Sequence, residues 1–224
     1  MIRGIQASIR GMAAEQARTD AASNNVANID TDGYKRTSVS TTDFGNMLVQ
    51  LVDPTMDGIP VIGQIGTGAT VESTTRDNSP GPIQETGNPM DVALTGAGQF
   101  TFQGPNGPAY TRLGAFHRDN QGQLVTAQGY PLLVSGKPVG AGAREVTVAQ
   151  DGTVLLDGKA AGTLDIQGGD GKPLALKSLE HSNVDLAQEM TDMIIAMRAF
   201  QANQRALAMQ DNTLNRTVNE IGKV

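Results

Sequence analysis

The sequence predicts an α+β protein. Long N- and C-terminal helices pair as a coiled coil, and a central all-β domain of antiparallel strands, an irregular barrel or sandwich, lies between them. Three observations carry this. The stretch from Ser182 to Gly222 holds one apolar stripe with no proline and no interior glycine. The start of the chain holds a weaker stripe of the same spacing. The middle alternates short apolar runs with Asp-Gly and Asn-x-x-Gly turns.

The first element is a helix from residue 1 to about 29. Ile2, Ile5, Ile9, Met12, Gln16, Thr19, Ser23 and Val26 recur at steps of three and four, the spacing of one helix face. The apolar members, Ile2, Ile5, Ile9, Met12 and Val26, are the expected N-terminal assembly seam. Gly4 and Gly11 each cost about 1 kcal/mol relative to alanine in a helix interior. This helix therefore needs a partner to stay folded. It stops in the run from Asn24 to Arg36, where asparagine, aspartate and glycine bond the backbone locally and tolerate positive φ.

Residues 37–82 read as an extended linker. Phe44, Met47, Leu48, Leu51 and Val52 form a candidate short helix, and one or two short strands are expected around Thr70 to Thr75. Pro54, Gly58, Pro60, Gly63, Gly66 and Gly68 interrupt anything longer. The run from Gly63 to Gly68 lacks the Lys-Ser/Thr end of a phosphate loop.

From residue 83 to 178 the pattern is β. Runs such as Gln99 to Gln103, Ala109 to Leu113, Gln123 to Ala127 and Thr153 to Leu156 are separated by Asp119-Asn120-Gln121-Gly122, Asp151-Gly152, Asp157-Gly158 and Asp170-Gly171. Turn dipeptides between alternating segments are hairpin signals.

Residues 179–224 form the last element. Leu186, Met190, Met193, Met197, Phe200, Gln204, Leu207, Asp211, Leu214, Val218 and Ile221 follow a strict four-three step, the seam of a coiled coil. Asp185 with Gln188 is a capping pair at its start and Gly222 a stop. At 1.5 Å per residue this helix is roughly 50 Å long, more than a domain of this size covers end to end. Its nine apolar seam residues, Leu186, Met190, Met193, Met197, Phe200, Leu207, Leu214, Val218 and Ile221, are the expected C-terminal assembly seam.

Composition limits the function. The net charge is -6, which argues against a nucleic-acid surface, and there is no cysteine for disulfides or thiolate metal sites. No apolar run is long enough for a membrane span, and Met1 to Met12 lacks the continuous apolar core of a cleaved signal. The two histidines, His117 and His181, lack zinc spacing. No Gly-x-Ser-x-Gly elbow is present. Asp165 to Gly171 is too sparse for a calcium loop. Asn215-Arg216-Thr217 matches a glycosylation acceptor inside a helix. No catalytic, metal or cofactor residue is assigned. A glycan-binding β module with a helical dimerisation handle is the alternative reading, but it has only Tyr34, Tyr110 and Tyr130 and no tryptophan to offer as a platform.

Three collinear stretches resemble one family, the bacterial flagellar basal-body rod and hook proteins. They are Gly11 to Gln16 with Ser23 to Arg36; Thr86 to Leu94 with Gly96 to Phe100 and Tyr110 to Phe116; and Leu179 to Leu186 with Arg198 to Asn203. The family motif falls here on Asn24, Asn25, Asn28, Thr31, Gly33, Tyr34, Ser182, Asn183 and Val184. Within the family the likeness is to the rod proteins, with Ile65-Gly66-Thr67-Gly68 pointing to the distal one ahead of the proximal one. Before the terminal helix this chain lacks a stretch that longer relatives carry.

The resemblance implies a non-enzymatic axial subunit without cofactor. Its division would be residues 1–36 as helix and turn, 37–82 as linker, 83–178 as β domain and 179–224 as terminal helix. Its implied partners are further copies of itself, other rod, hook and ring proteins, and the flagellar type III export apparatus. In an antiparallel helix pair, Ile2 to Met12 lies beside the Leu207 to Ile221 half. The surplus from Met190 to Phe200 is then left for neighbouring subunits.

Overall fold

The computed structural model describes residues 2–43, 47–50, 61–65, 69–105, 107–138, 146–169 and 173–221. The fold is α+β, with one helix at each end, α1 (Ile2–Ala27) and α2 (Leu186–Ile221), and antiparallel strands between. Gly222 lies outside the described residues. The chain divides into two compact units.

The first unit holds residues 1–26, 37–76 and 186–224. It contains most of α1, all of α2 and a two-stranded ribbon. In the ribbon Thr37–Asp43 pairs antiparallel with Ala69–Arg76, with a register shift between Ser40 and Thr41. Met47–Gln50 pairs in the same sense with Val61–Ile65. Met47 and Leu48 are therefore in a strand, not the short helix expected of them. Pairing with a distant segment overrides the helix preference of Met and Leu, as cross-strand context commonly does. Phe44, Leu51 and Val52 lie outside the described residues.

The second unit holds residues 27–36 and 77–185. Its core is Val92, Leu94, Phe100, Phe116, Leu124, Leu132, Val134, Val146, Val154, Leu164 and Leu174. Phe100 and Phe116 meet edge to face with centroids 5.2 Å apart, an arrangement that suits the ring quadrupoles. The strands are short. Gln99–Gly104 pairs with Gly107–Thr111 and with Ile166–Gln167. Thr153–Leu156 pairs with Val146–Val148 and Lys159–Thr163.

The turns explain the hairpins. Asp157 and Gly158 have φ of 49° and 78°, and Ser135 and Gly136 have 50° and 76°. Two positive φ values in succession mark the turns that match strand twist. Asp119 caps its own turn, its Oδ1 accepting from the Gln121 and Gln123 amides at 2.9 and 2.7 Å. Asp170-Gly171 lies outside the described residues. Gly114 is required for a different reason: a Cβ there would sit 1.6 Å from the Val92 carbonyl oxygen, and Val92 N donates to Gly114 O at 3.0 Å.

Candidate assembly surface

In the first unit α1 and α2 run antiparallel in close contact. A Cβ on Gly4 would come 2.9 Å from Gln210, and one on Gly11 would come 2.9 Å from Asn203. Further along, Asn25 bonds Glu189. Each step up α1 is matched by an equal step down α2. The inner face of α1 is made of small residues. Ser8, Ala14, Ala22 and Asn25 are buried, and Gly4 and Gly11 let polar side chains of α2 approach. The glycines that weaken α1 as an isolated helix thus create its contact surface.

The seam residues divide between two directions. Met193, Phe200, Leu207 and Leu214 are half-buried, and Ala196 and Glu189 beside them are buried. Leu186, Met190, Met197 and Val218 are 44, 52, 43 and 68 % exposed. A strict seven-residue repeat drifts about 20° per heptad around a 3.6-residue helix. One half of the stripe therefore faces α1 while the other half looks out. On α1, Ile5, Met12 and Val26 are half-buried and Ile9 is exposed. The side chains of Ile2 and Ile221 lie outside the description. Ile5, Met12, Gln204, Leu207, Ala208 and Asp211 line an open groove of about 570 Å³ between the helices.

Asn25 locks this unit. Its Nδ2 donates to the Thr37 carbonyl at 2.8 Å and to Glu189 Oε2 at 2.9 Å, and its Oδ1 accepts from the Thr37 amide at 2.9 Å. One asparagine thus ties α1, α2 and the ribbon. Only a side chain with both a donor and an acceptor can do this. Asn24, its neighbour, is exposed and donates to the Asp20 carbonyl on its own helix at 3.0 Å.

In the second unit the remaining motif residues build a strap. Thr31 N donates to Asn28 O at 3.1 Å, Thr31 Oγ1 donates to Asn28 Oδ1 at 3.2 Å, and Tyr34 N donates to Thr31 O at 3.2 Å. Gly33 has φ 69° and lies so close to the backbone that a Cβ would be 2.6 Å from Leu113 N. Its amide donates to Glu180 O at 2.6 Å. Asn183 Oδ1 accepts from Arg36 N at 2.7 Å, and its Nδ2 donates to the Asp77 and Ser79 carbonyls at 3.1 Å. Ser182 Oγ accepts from the Val184 amide at 3.3 Å.

At the centre of this strap is the buried carboxylate of Glu180. It accepts from Lys35 Nζ at 2.5 Å, from the Gly81 amide at 2.8 Å and from Arg112 Nε. Arg112 also donates to the carbonyls of Gly98, Leu94 and Gly96 at 2.5, 3.2 and 2.7 Å. Burial by itself pushes the Glu180 carboxyl up, but the bonds from Arg112, Lys35 and Gly81 outweigh it and hold it below the usual carboxylate range. Asp77 is also held low, chiefly by its bond from the Ser79 amide.

Three family models match along the chain. A flagellar basal-body rod protein model matches residues 5–35, a flagellar hook protein FlgE/F/G D1 domain model 93–156, and a flagellar basal-body rod FlgEFG C-terminal model 176–220. The chain is 32 % identical to the flagellar basal-body rod protein FlgG of Bacillus subtilis, across 98 % of this chain and 99 % of that protein. The chain belongs to the flagellar basal-body rod family, and it is FlgG-like. FlgG of Caulobacter vibrioides is 30 % identical across 96 % of this chain and 98 % of that protein. The Bacillus FlgG alignment runs over 264 positions against a chain of 224 residues, so at least 40 of those positions are empty in this chain.

The family's three segments meet at Glu180. Lys35 comes from the first, Arg112 from the second and Glu180 from the third. None of the three was assigned as a site residue from the sequence. Their signal was present all the same, as one charged residue embedded in each motif. Glu189 was missed as well, although an acidic residue among the apolar positions opening α2 marks the place. Of the histidines, His117 is exposed on the strand Phe116–Arg118, and His181 Nε2 lies 2.9 Å from Gln84 Oε1. Among the described residues no group of three or more His, Cys, Asp or Glu is placed to hold a metal ion. No described helix is long and apolar enough to cross a membrane.

Proposed function

We propose that this member of the rod family is a subunit of the distal part of the rod. It polymerises helically through its terminal helices into a hollow shaft that transmits torque, and it has no catalytic role. In the assembled state α1 and α2 pair as a coiled coil around the axis, and the β unit, an irregular barrel or sandwich, forms an outer layer. The observation that carries this reading is the apolar half-stripe Leu186, Met190 and Met197, exposed on a helix whose other side is already packed. Apolar side chains in a row on a helix surface mark a contact with another protein. The subunit leaves by the flagellar type III export route, and its other partners are rod, hook and ring proteins. A helix pair with glycines in its seam suits passage through a narrow channel in an unfolded state. The FlgG relatives support the distal position over the proximal one.

The test is a chain truncated after Asp185, beside the full chain, in cells that lack both. The full chain restores swimming and is recovered in purified basal bodies. The truncated chain is exported but does neither. A truncated chain found in basal bodies would sink the reading.

A further inference from the structure

Assembly through the terminal helices, the reading just given, leaves open which surfaces meet. Two apolar patches face out from the helix pair. One is the α2 stripe of Leu186, Met190, Ile194 and Met197, all exposed. The other is the groove of Ile5, Met12 and Leu207, with Gln204, Ala208 and Asp211 on its α2 side. Both lie on one side of α2. Leu186 and Met190 precede Gln204 and Ala208 by 18 residues, which is five turns at 3.6 residues each. Each such pair points the same way from the helix axis.

The midpoints of the stripe and of the groove wall are about 24 Å apart along α2 at 1.5 Å per residue. Within one chain the stripe cannot reach the groove. A second copy with parallel helices, displaced by that distance, brings its stripe level with it. Charge favours this direction. The groove carries Asp211, and Arg198 stands one turn beyond Ile194 at the edge of the stripe. In the parallel arrangement Arg198 comes within one turn of Asp211. An antiparallel second copy separates them by about 15 Å.

We propose that the α2 stripe of one copy seats in the α1–α2 groove of a second, parallel copy displaced by about 24 Å. The two patches differ, so the contact does not close on itself. It leaves a free groove at one end and a free stripe at the other, and it propagates.

The native chain has no cysteine, so the contact is testable by cross-linking. Two variants, Met12→Cys and Met190→Cys, are co-expressed in cells lacking the native chain, and basal bodies are purified and oxidised. Within one chain these positions are about 18 Å apart along the helices, beyond the reach of a disulfide. The expected result is a covalent dimer joining the two variants. Met12→Cys with Met209→Cys, exposed elsewhere on α2, gives only background. Basal bodies that contain both variants with no dimer above that background overturn the inference and leave the rod reading standing. Absence of the chain from basal bodies overturns both. A charge exchange guards against a disturbed groove. Asp211→Arg and Arg198→Glu each lower recovery in basal bodies, and the double variant restores it. A double variant no better than either single one overturns the inference as well.

Discussion

The ammonium of Lys35 donates to the carboxylate of Glu180 at 2.5 Å, across 145 positions of sequence, with both side chains almost wholly buried. Arg112 holds the other oxygen of that carboxylate. A buried carboxylate with two cationic partners is stabilising only while all three are present. Removing one partner of a buried pair typically costs 3–5 kcal/mol. Glu180→Gln keeps the shape and removes the charge, so we expect a loss of about 3 kcal/mol. Urea unfolding followed by the signal of the β unit measures it.

The same carboxylate sets an acid limit on stability. Its folded pKa is below its unfolded value, which is about 4.3 for glutamate. Its contribution is therefore fully present above that unfolded value and lost as pH falls through the folded one. The stability difference between the native chain and Glu180→Gln should be constant near neutrality and shrink below about pH 4. A difference that grows on acidification contradicts the assignment.

Asn25→Ala removes three hydrogen bonds at once and leaves Glu189 buried without its asparagine partner. Each buried polar group left unsatisfied costs about 1–3 kcal/mol. The loss should fall on the first unit. Amide hydrogen exchange in α1 and the start of α2 is expected to quicken, while the core around Phe100 and Leu132 keeps its protection. Asn25→Asp should not rescue it, because the carboxylate cannot donate to Glu189 or to the Thr37 carbonyl.

The glycines of this chain separate into two kinds. Gly114→Ala would force a methyl group into the Val92 carbonyl, which is backbone and cannot move aside. We expect that variant not to fold. Gly4→Ala meets only the end of the Gln210 side chain, which can turn away. Alanine is worth up to about 1 kcal/mol over glycine in a helix interior. Gly4→Ala is expected to hold or raise the melting temperature of the helix pair, as read by circular dichroism at 222 nm.

The sequence by itself determined the elements and their order. Period 3.5 at the ends and turn dipeptides in the middle are local signals, and both helices and most strands of the β unit follow from them. It also carried the motif, since Asn25, Gly33 and Asn183 sit where their residue types matter. Only the tertiary structure decided which side of each helix is inside. A seven-residue stripe on a straight helix winds slowly around the axis, so the pattern names a set of residues and not a direction. Leu207 faces in and Met190 faces out for that reason. Only the tertiary structure, too, brought Lys35, Arg112 and Glu180 together. A charged residue in a turn, one after a strand and one before a helix each read locally as solvated. Burial and partnership are properties of the folded chain, because they depend on which distant segments exclude water from the same place.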